Sequence, residues 1–159
     1  SDHAGETGAA AIYRGILAAS SDAEVRNFAS RHLASERQHL ELMNQVLAPE
    51  TRSSLLPLWR VAGYLTGLLT VLVGAAAVYR TIEAVETFVD GHYSSQIAYL
   101  QHRCPDTRLL QLLEACRADE IAHREDARAR IGAPSAIGRL WTELVGAGSR
   151  IGVFFASRI

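Results

Sequence analysis

The sequence predicts an all-α fold: a four-helix bundle with an additional hydrophobic crossover helix and a C-terminal helix. Three observations predict it. The four prolines, Pro49, Pro57, Pro105 and Pro134, leave long stretches between them, and no alternating apolar and polar run rich in β-branched residues occurs there. The pattern Glu-x-x-His occurs twice, as Glu36-Arg37-Gln38-His39 and Glu120-Ile121-Ala122-His123, and that spacing puts an acid and an imidazole on one side of a helix. A lone glutamate precedes each copy at a similar interval: Glu6 thirty residues before Glu36, and Glu86 thirty-four before Glu120.

Bulk properties bound the problem. At 159 residues the chain suits a single domain, 1–159, with its own core. The formal net charge is −1 and the basic residues are scattered arginines, so no basic stripe for nucleic acid is present. Cys104 and Cys116 form no closely spaced pair, which suits a reducing compartment and ordinary thiols. The first residues resemble neither a secretory leader nor an Arg-rich transit peptide, making a cytoplasmic setting the default expectation.

The first helix is expected from Ser1 or Asp2, either serving as its cap, to about residue 19. Glu6 sits in its early turns, flanked by Gly5 and Gly8. Glycine in a helix costs roughly 1 kcal/mol relative to alanine, so two of them favour close approach by a neighbouring helix, a metal or a flat ligand. Ser21-Asp22 offers the next cap, for a helix over 23–47 that carries Glu36 and His39 and stops before Pro49. His32, one turn before Glu36, is expected beside the ligand set or on the surface rather than in it.

Residues 61–79 form a charge-free run of nineteen between Arg60 and Arg80, long enough for a membrane span. A span would cover about 30 Å and part Glu36 from Glu86. Gly63, Gly67 and Gly74 also interrupt the run. A helix over 58–74 is therefore expected to link the two halves and lie on, or slightly into, a membrane surface, with a buried crossover helix as the alternative. A long helix over 75–101 carries Glu83, Glu86, His92 and Tyr93, and spacing alone leaves Glu83 and Glu86 both open as ligands. Tyr93 follows Glu86 by seven residues, as Tyr13 follows Glu6, which puts each phenol on the ligand side but about 10 Å along the axis.

Cys104-Pro105-Asp106 breaks the chain, and Asp106 or Thr107 caps a helix to about residue 131 that carries Glu120 and His123. Asp119 is placed either to orient a ligating histidine on another helix through its free ring N–H or simply on the surface. A last helix over 137–157, with Trp141, Val145 and Phe154 among scattered arginines, suits docking on the hydrophobic helix, an interfacial membrane contact, or plain core packing.

Four glutamates and two histidines on four helices are the ligand set of a ferritin-like di-iron or di-manganese bundle. Four carboxylates balance two divalent ions, and oxygen-rich coordination with one nitrogen per metal suits iron or manganese. Without metal the acids repel, so some are expected to take up protons and metal loading is expected to stabilise the fold.

His3-Ala4-Gly5-Glu6, Ile12-Tyr13, Glu36-x-x-His39-Leu40, Leu56-Pro57-Leu58-Trp59, Glu86 followed by His92-Tyr93, and Glu120-x-x-His123 together resemble the demethoxyubiquinone hydroxylase family of ubiquinone biosynthesis. The resemblance runs through essentially the whole chain, although Thr7 stands where an aromatic is common in the family. It implies a membrane-associated di-iron monooxygenase that hydroxylates a polyprenyl benzoquinone ring, with dioxygen as co-substrate and NADH as a candidate reductant. It also implies Glu86 rather than Glu83, giving the metal set Glu6, Glu36, His39, Glu86, Glu120 and His123. His92 and Tyr93 become candidates for substrate binding or electron transfer.

On that reading Glu36 and Glu120 bridge two irons, Glu6 and Glu86 are terminal, and His39 and His123 hold one metal each. The implied surroundings are the cytoplasmic face of a bacterial inner membrane or the matrix face of the mitochondrial one. The implied partners are a lipid-presenting protein of the ubiquinone pathway and a second copy of the chain. The competing readings are a ferritin-like iron-binding protein, a peroxide-reducing di-metal protein, and a structural membrane-bound helical module. The uncharged run at 61–79 argues against a storage shell, whose outer surface must be polar.

Overall fold

A computed structural model of the protein describes residues 2–46, 53–103 and 107–132, together with 141, 143 and 145–147. Among the described residues there are five helices and no strand, in the order α1 (Asp2–Ala19), α2 (Ala23–Val46), α3 (Leu56–Val73), α4 (Ala75–Arg103) and α5 (Thr107–Ala129). Residues 141, 143 and 145–147 are also helical, and Trp141 donates its indole N–H to Thr81 Oγ on α4 at 2.8 Å. The rest of the expected C-terminal helix lies outside the described residues, as do Ser1, Cys104 and Asp106.

Local chemistry accounts for the helix ends. Asp22 caps α2 as expected: its Oδ1 accepts from the N–H groups of Glu24 at 2.8 Å and Val25 at 3.1 Å. Asp2 is the first described residue of α1, and its carboxylate accepts from Gln96 Nε2 at 2.6 Å and sits 3.0 Å from His92 Nε2, while Ser1, the other cap expected, lies outside the described residues. α3 starts two residues earlier than the sequence predicts, because Pro57 falls in the first turn, where its missing N–H has no helical partner to lose. Gly74, at φ 123°, separates α3 from α4, and its N–H closes the last turn on the carbonyls of Thr70 and Val71.

Cross-helix pairs give the directions. His3 meets Asn44 and Glu6 meets His39, so α1 and α2 are antiparallel. Asp2 meets Gln96 and Tyr13 meets Glu86, so α1 and α4 are antiparallel. His39 meets Asp119 while His32 meets Asp126, and Asp90 meets Arg117 and Arg124 while Glu83 meets Arg128, placing α5 antiparallel to α2 and α4. α2 and α4 therefore run the same way, and α3, parallel to α1, carries the chain back between them.

α3 packs on α1 through glycines. A Cβ at Gly67 would run into the carbonyl oxygen of Ile12, one at Gly15 into that of Tyr64, and one at Gly63 into that of Gly8. The glycines that seemed to interrupt α3 are what let two backbones touch. At Gly5 and Gly8 a Cβ would meet nothing within 4 Å. The close approach expected there is made by the Gly8 backbone, whose carbonyl meets Gly63, and again at Gly15, while Gly5 and Gly8 also border a cavity.

Among the described residues the outer face of α3 is not covered as a buried crossover would be: only 17% of the helix is buried, and Val61, Leu65, Leu69 and Leu72 are exposed. The core divides into two clusters. One joins Tyr13, Ile16, Phe28, Val78 and Ile82, and the other joins Met43, Tyr93, Ile97, Leu113 and Cys116. The polar centre of the bundle lies between them.

Candidate metal centre and adjoining cavity

Glu6 from α1, Glu36 and His39 from α2, Glu86 from α4, and Glu120 and His123 from α5 all lie buried in this centre. Their ligating atoms form two groups, each within 4.8 Å: Glu6, Glu36, His39 and Glu120 in one, Glu36, Glu86, Glu120 and His123 in the other. Glu36 and Glu120 belong to both. Glu83, by contrast, is partly exposed and pairs with Arg128 at 3.7 Å. One turn of helix separates an acid inside the bundle from one on its surface.

Both ring nitrogens of His39 are engaged. Nε2 lies 3.0 Å from Asp119 Oδ2, while Nδ1 faces inward, 3.0 Å from Glu120 Oε1 and 3.4 Å from Glu6 Oε2. Asp119 thus orients a histidine on another helix, one of the two roles its position allowed. His123 Nδ1 lies 3.2 Å from Glu120 Oε2 and 3.3 Å from Glu36 Oε1. His32 is buried, pairs with Asp126 at 2.8 Å and packs edge-on against the His123 ring at 4.3 Å between centroids. Sequence reasoning placed His32 near the ligands but passed over its partner; a single acid three residues beyond His123 carries no distinguishing signal.

The two tyrosines cross-pair. The Tyr13 hydroxyl donates to Glu86 Oε1 at 3.0 Å, and the Tyr93 hydroxyl donates to Glu6 Oε1. The equal seven-residue spacings explain this: on antiparallel helices, the residue two turns beyond one acid comes level with the other acid. Burial, with the nearby carboxylates, pushes both phenols well above their ordinary value, so each keeps its proton to donate.

Charge in the centre is uneven. Burial, then neighbouring carboxylates, raises Glu36 and Glu86 well above the usual range. At Glu120 burial acts in the same sense, but hydrogen bonds from His123 and His39 outweigh it and hold the carboxyl down to about 2. Burial opposes charge on His39, yet its bonds to Glu120 and Glu6 push it up to about 12. His32 falls to about 4 through burial and the adjacent His123. Burial raises the Cys116 thiol to about 11, and among the described residues no cysteine joins either group of ligating atoms.

Neither oxygen of Glu36 nor Oε2 of Glu86 finds a hydrogen-bond partner among the described residues. Buried acceptors left bare cost about 1–3 kcal/mol each. A cation would satisfy them, and four carboxylates with one imidazole nitrogen per group make a hard, oxygen-rich donor set. The buried cluster suits a metal centre.

Of these six side chains only Glu6 lines the adjoining cavity. That cavity, about 420 Å³, has mainly apolar walls from α1, α3 and α4, including Ala9, Ile12, Leu69, Val85 and Val89, with Trp141 and Val145 also bordering it. Tyr93 and His92 line it too. Tyr93 touches the cluster through Glu6, whereas His92 is held by Asp2 and Gln96 at the side.

Comparison with known proteins agrees with this architecture. The family model for the ubiquinone biosynthesis protein COQ7 matches residues 1–156. A Dictyostelium discoideum protein named NADPH-dependent 3-demethoxyubiquinone 3-hydroxylase, mitochondrial, is 29% identical over 99% of this chain and 74% of its own length. The Homo sapiens protein of the same name is 30% identical over 99% and 75%. A Rhodospirillum rubrum protein named 3-demethoxyubiquinol 3-hydroxylase is 31% identical over 99% and 75%. With the match running from end to end, the chain belongs to the COQ7 family of ubiquinone biosynthesis proteins.

Proposed function

We propose that this protein is a di-iron monooxygenase that hydroxylates the ring of a demethoxyubiquinone. One observation carries the proposal: an apolar cavity large enough for a substituted ring meets the buried Glu and His cluster at Glu6. Glu6 and His39 would hold one iron, Glu86 and His123 the other, with Glu36 and Glu120 shared, in keeping with their membership of both groups. Bound there, the metal pair supplies the redox chemistry for dioxygen. In the overall balance one oxygen atom is inserted into a ring C–H bond to give C–OH, and the other takes up two protons and two electrons and leaves as water. NADH is the candidate reductant that the family resemblance implies; the mitochondrial relatives are named NADPH-dependent, so a reduced nicotinamide coenzyme is the proposed source.

The chain's own groups bind, orient and exclude water. The apolar walls keep solvent from the ring, and Tyr93, hydrogen-bonded to Glu6 and lining the cavity, stands between substrate and cluster as a candidate for proton or electron transfer. His92 lines the same cavity as a candidate substrate contact. The exposed apolar face of α3 supports seating on a membrane surface, with the prenyl tail leaving the cavity between α3 and the helical residues around Trp141 and Val145. That surface is the cytoplasmic face of a bacterial inner membrane or the matrix face of a mitochondrial one.

A ferritin-like storage protein or a peroxide-reducing protein would share the ligands but have no use for an apolar cavity beside Glu6. The deciding experiment is iron quantitation followed by turnover of a demethoxyubiquinone analogue, with product followed by mass spectrometry. Wild type is expected to hold two irons and hydroxylate the ring, and Glu120→Ala to do neither. Hydroxylation by an iron-free Glu120→Ala would end the proposal.

A further inference from the structure

The four carboxylates of the cluster are of two kinds. Glu36 and Glu120 each turn one oxygen toward each imidazole: Glu36 sets Oε1 3.3 Å from His123 Nδ1 and Oε2 3.9 Å from His39 Nδ1, and Glu120 sets Oε2 3.2 Å and Oε1 3.0 Å from the same two atoms. Glu6 and Glu86 do not. Each gives Oε1 to a tyrosine, Glu86 to Tyr13 at 3.0 Å and Glu6 to Tyr93, so Oε2 is the uncommitted oxygen of each. That of Glu6 lies 3.4 Å from His39 Nδ1, and that of Glu86 has no hydrogen-bond partner among the described residues.

Packing does not require these hydroxyls. Tyr13 is buried in one core cluster with Phe28 and Ile16, and Tyr93 in the other with Met43 and Leu113. Phenylalanine would fill either place without burying a polar group. The contact also occurs once for each group of ligating atoms, since Glu6 belongs to one group and Glu86 to the other. A carboxylate chelates a single cation only when both of its oxygens turn to it. An oxygen that accepts from a phenol fixed in the core is drawn to that phenol, and chelation would cost it this charge-assisted bond.

We propose that Tyr13 and Tyr93 are positioning residues that limit Glu86 and Glu6 to one donor oxygen each toward the bound metal pair. The inference rests on the di-iron reading above and deepens it by naming what holds the two outer ligands. From this chain each metal then receives one imidazole nitrogen, one oxygen of an outer glutamate, and the shared Glu36 and Glu120. The position that a chelating glutamate would occupy stays open for a molecule from outside, which the chemistry of the site needs.

The test is Mössbauer spectroscopy of the full chain loaded with ferrous ion under nitrogen, in wild type, Tyr13→Phe, Tyr93→Phe and the double variant. Each substitution keeps the ring and removes the donor, so the released glutamate becomes able to chelate. Tyr13→Phe should shift the quadrupole splitting of one of the two iron sites, Tyr93→Phe that of the other, and the double variant both. A narrower gap between the antisymmetric and symmetric carboxylate stretches in the infrared marks the new chelate. Variants with the spectra of wild type, or a double variant in which only one site shifts, overturn the assignment, since the phenols then act by packing alone. Should Tyr13→Phe not fold, Tyr93→Phe decides through the shift of a single site or its absence. If wild type itself holds no pair of irons, this assignment and the di-iron reading fall together; two irons in wild type with unshifted variants leave the latter standing.

Discussion

Loading the metal centre should expel protons. In the metal-free protein burial and neighbouring carboxylates keep Glu36 and Glu86 well above their ordinary value, and His39 is pushed up to about 12, so His39 holds a proton at pH 7 and the two carboxyls keep theirs to higher pH than free ones. Ligation needs all three deprotonated, so His39 releases one proton and the two glutamates add to it. The same protons set the pH dependence of the metal-free fold. In the unfolded chain the carboxyls titrate near 4.5 and the imidazole near 6.5. Above those values the folded form holds more protons than the unfolded one, so its stability falls as pH rises. Each extra proton costs about 1.4 kcal/mol per pH unit. From pH 7 to 8 His39 alone removes about that much, and Glu36 and Glu86 act in the same direction. His32, lowered to about 4, adds stability only as pH rises from about 4 towards its ordinary 6.5, below this window.

Anaerobic calorimetric titration with ferrous ion, in buffers of different ionisation enthalpy, counts the protons directly. Melts of metal-free protein at pH 7 and 8 read the stability, and metal affinity should rise over the same interval. Release of no protons, or a metal-free Tm that rises from pH 7 to 8, would refute this account of the buried charges.

Three further outcomes follow from particular contacts. Gly67→Ala places a methyl against the Ile12 carbonyl oxygen and 2.9 Å from both the Ile12 carbonyl carbon and the Ile16 nitrogen, and backbone atoms cannot rotate aside. It should cost about 1–3 kcal/mol, read as a lower denaturation midpoint, and an unchanged midpoint would contradict the close α1–α3 packing. Asp119→Asn removes the carboxylate that orients His39 and should weaken metal binding at least about tenfold in a chelator competition; unaltered affinity would mark Asp119 as a bystander. Leu65→Glu with Leu72→Glu puts two charges on the exposed face of α3 and should abolish co-flotation with phospholipid vesicles. Flotation equal to that of wild type would remove α3 from the membrane contact.

Much of the fold was legible because helices announce themselves locally. The Ser21-Asp22 signal, the stop before Pro49 and the break at Gly74 act over a few residues, and the observed boundaries lie within about two residues of those expected. Tertiary contacts add what local rules do not give. Asp2 turns its carboxylate to α4, and of the three glycines expected to interrupt the apolar run Gly74 does so, whereas Gly63 and Gly67 form the contact of α3 with α1.

By itself the sequence determined the helices, the two Glu-x-x-His turns and their partner glutamates, because a turn of helix places residues three and four apart on one side whatever surrounds it. Tertiary structure alone decided that Tyr13 serves Glu86 while Tyr93 serves Glu6, that Asp119 reaches His39, that of the six cluster side chains only Glu6 faces the cavity, and that among the described residues the outer face of α3 stays bare. Those outcomes depend on the direction and height at which helices meet. Packing of the whole bundle sets both, and no single stretch of residues encodes them.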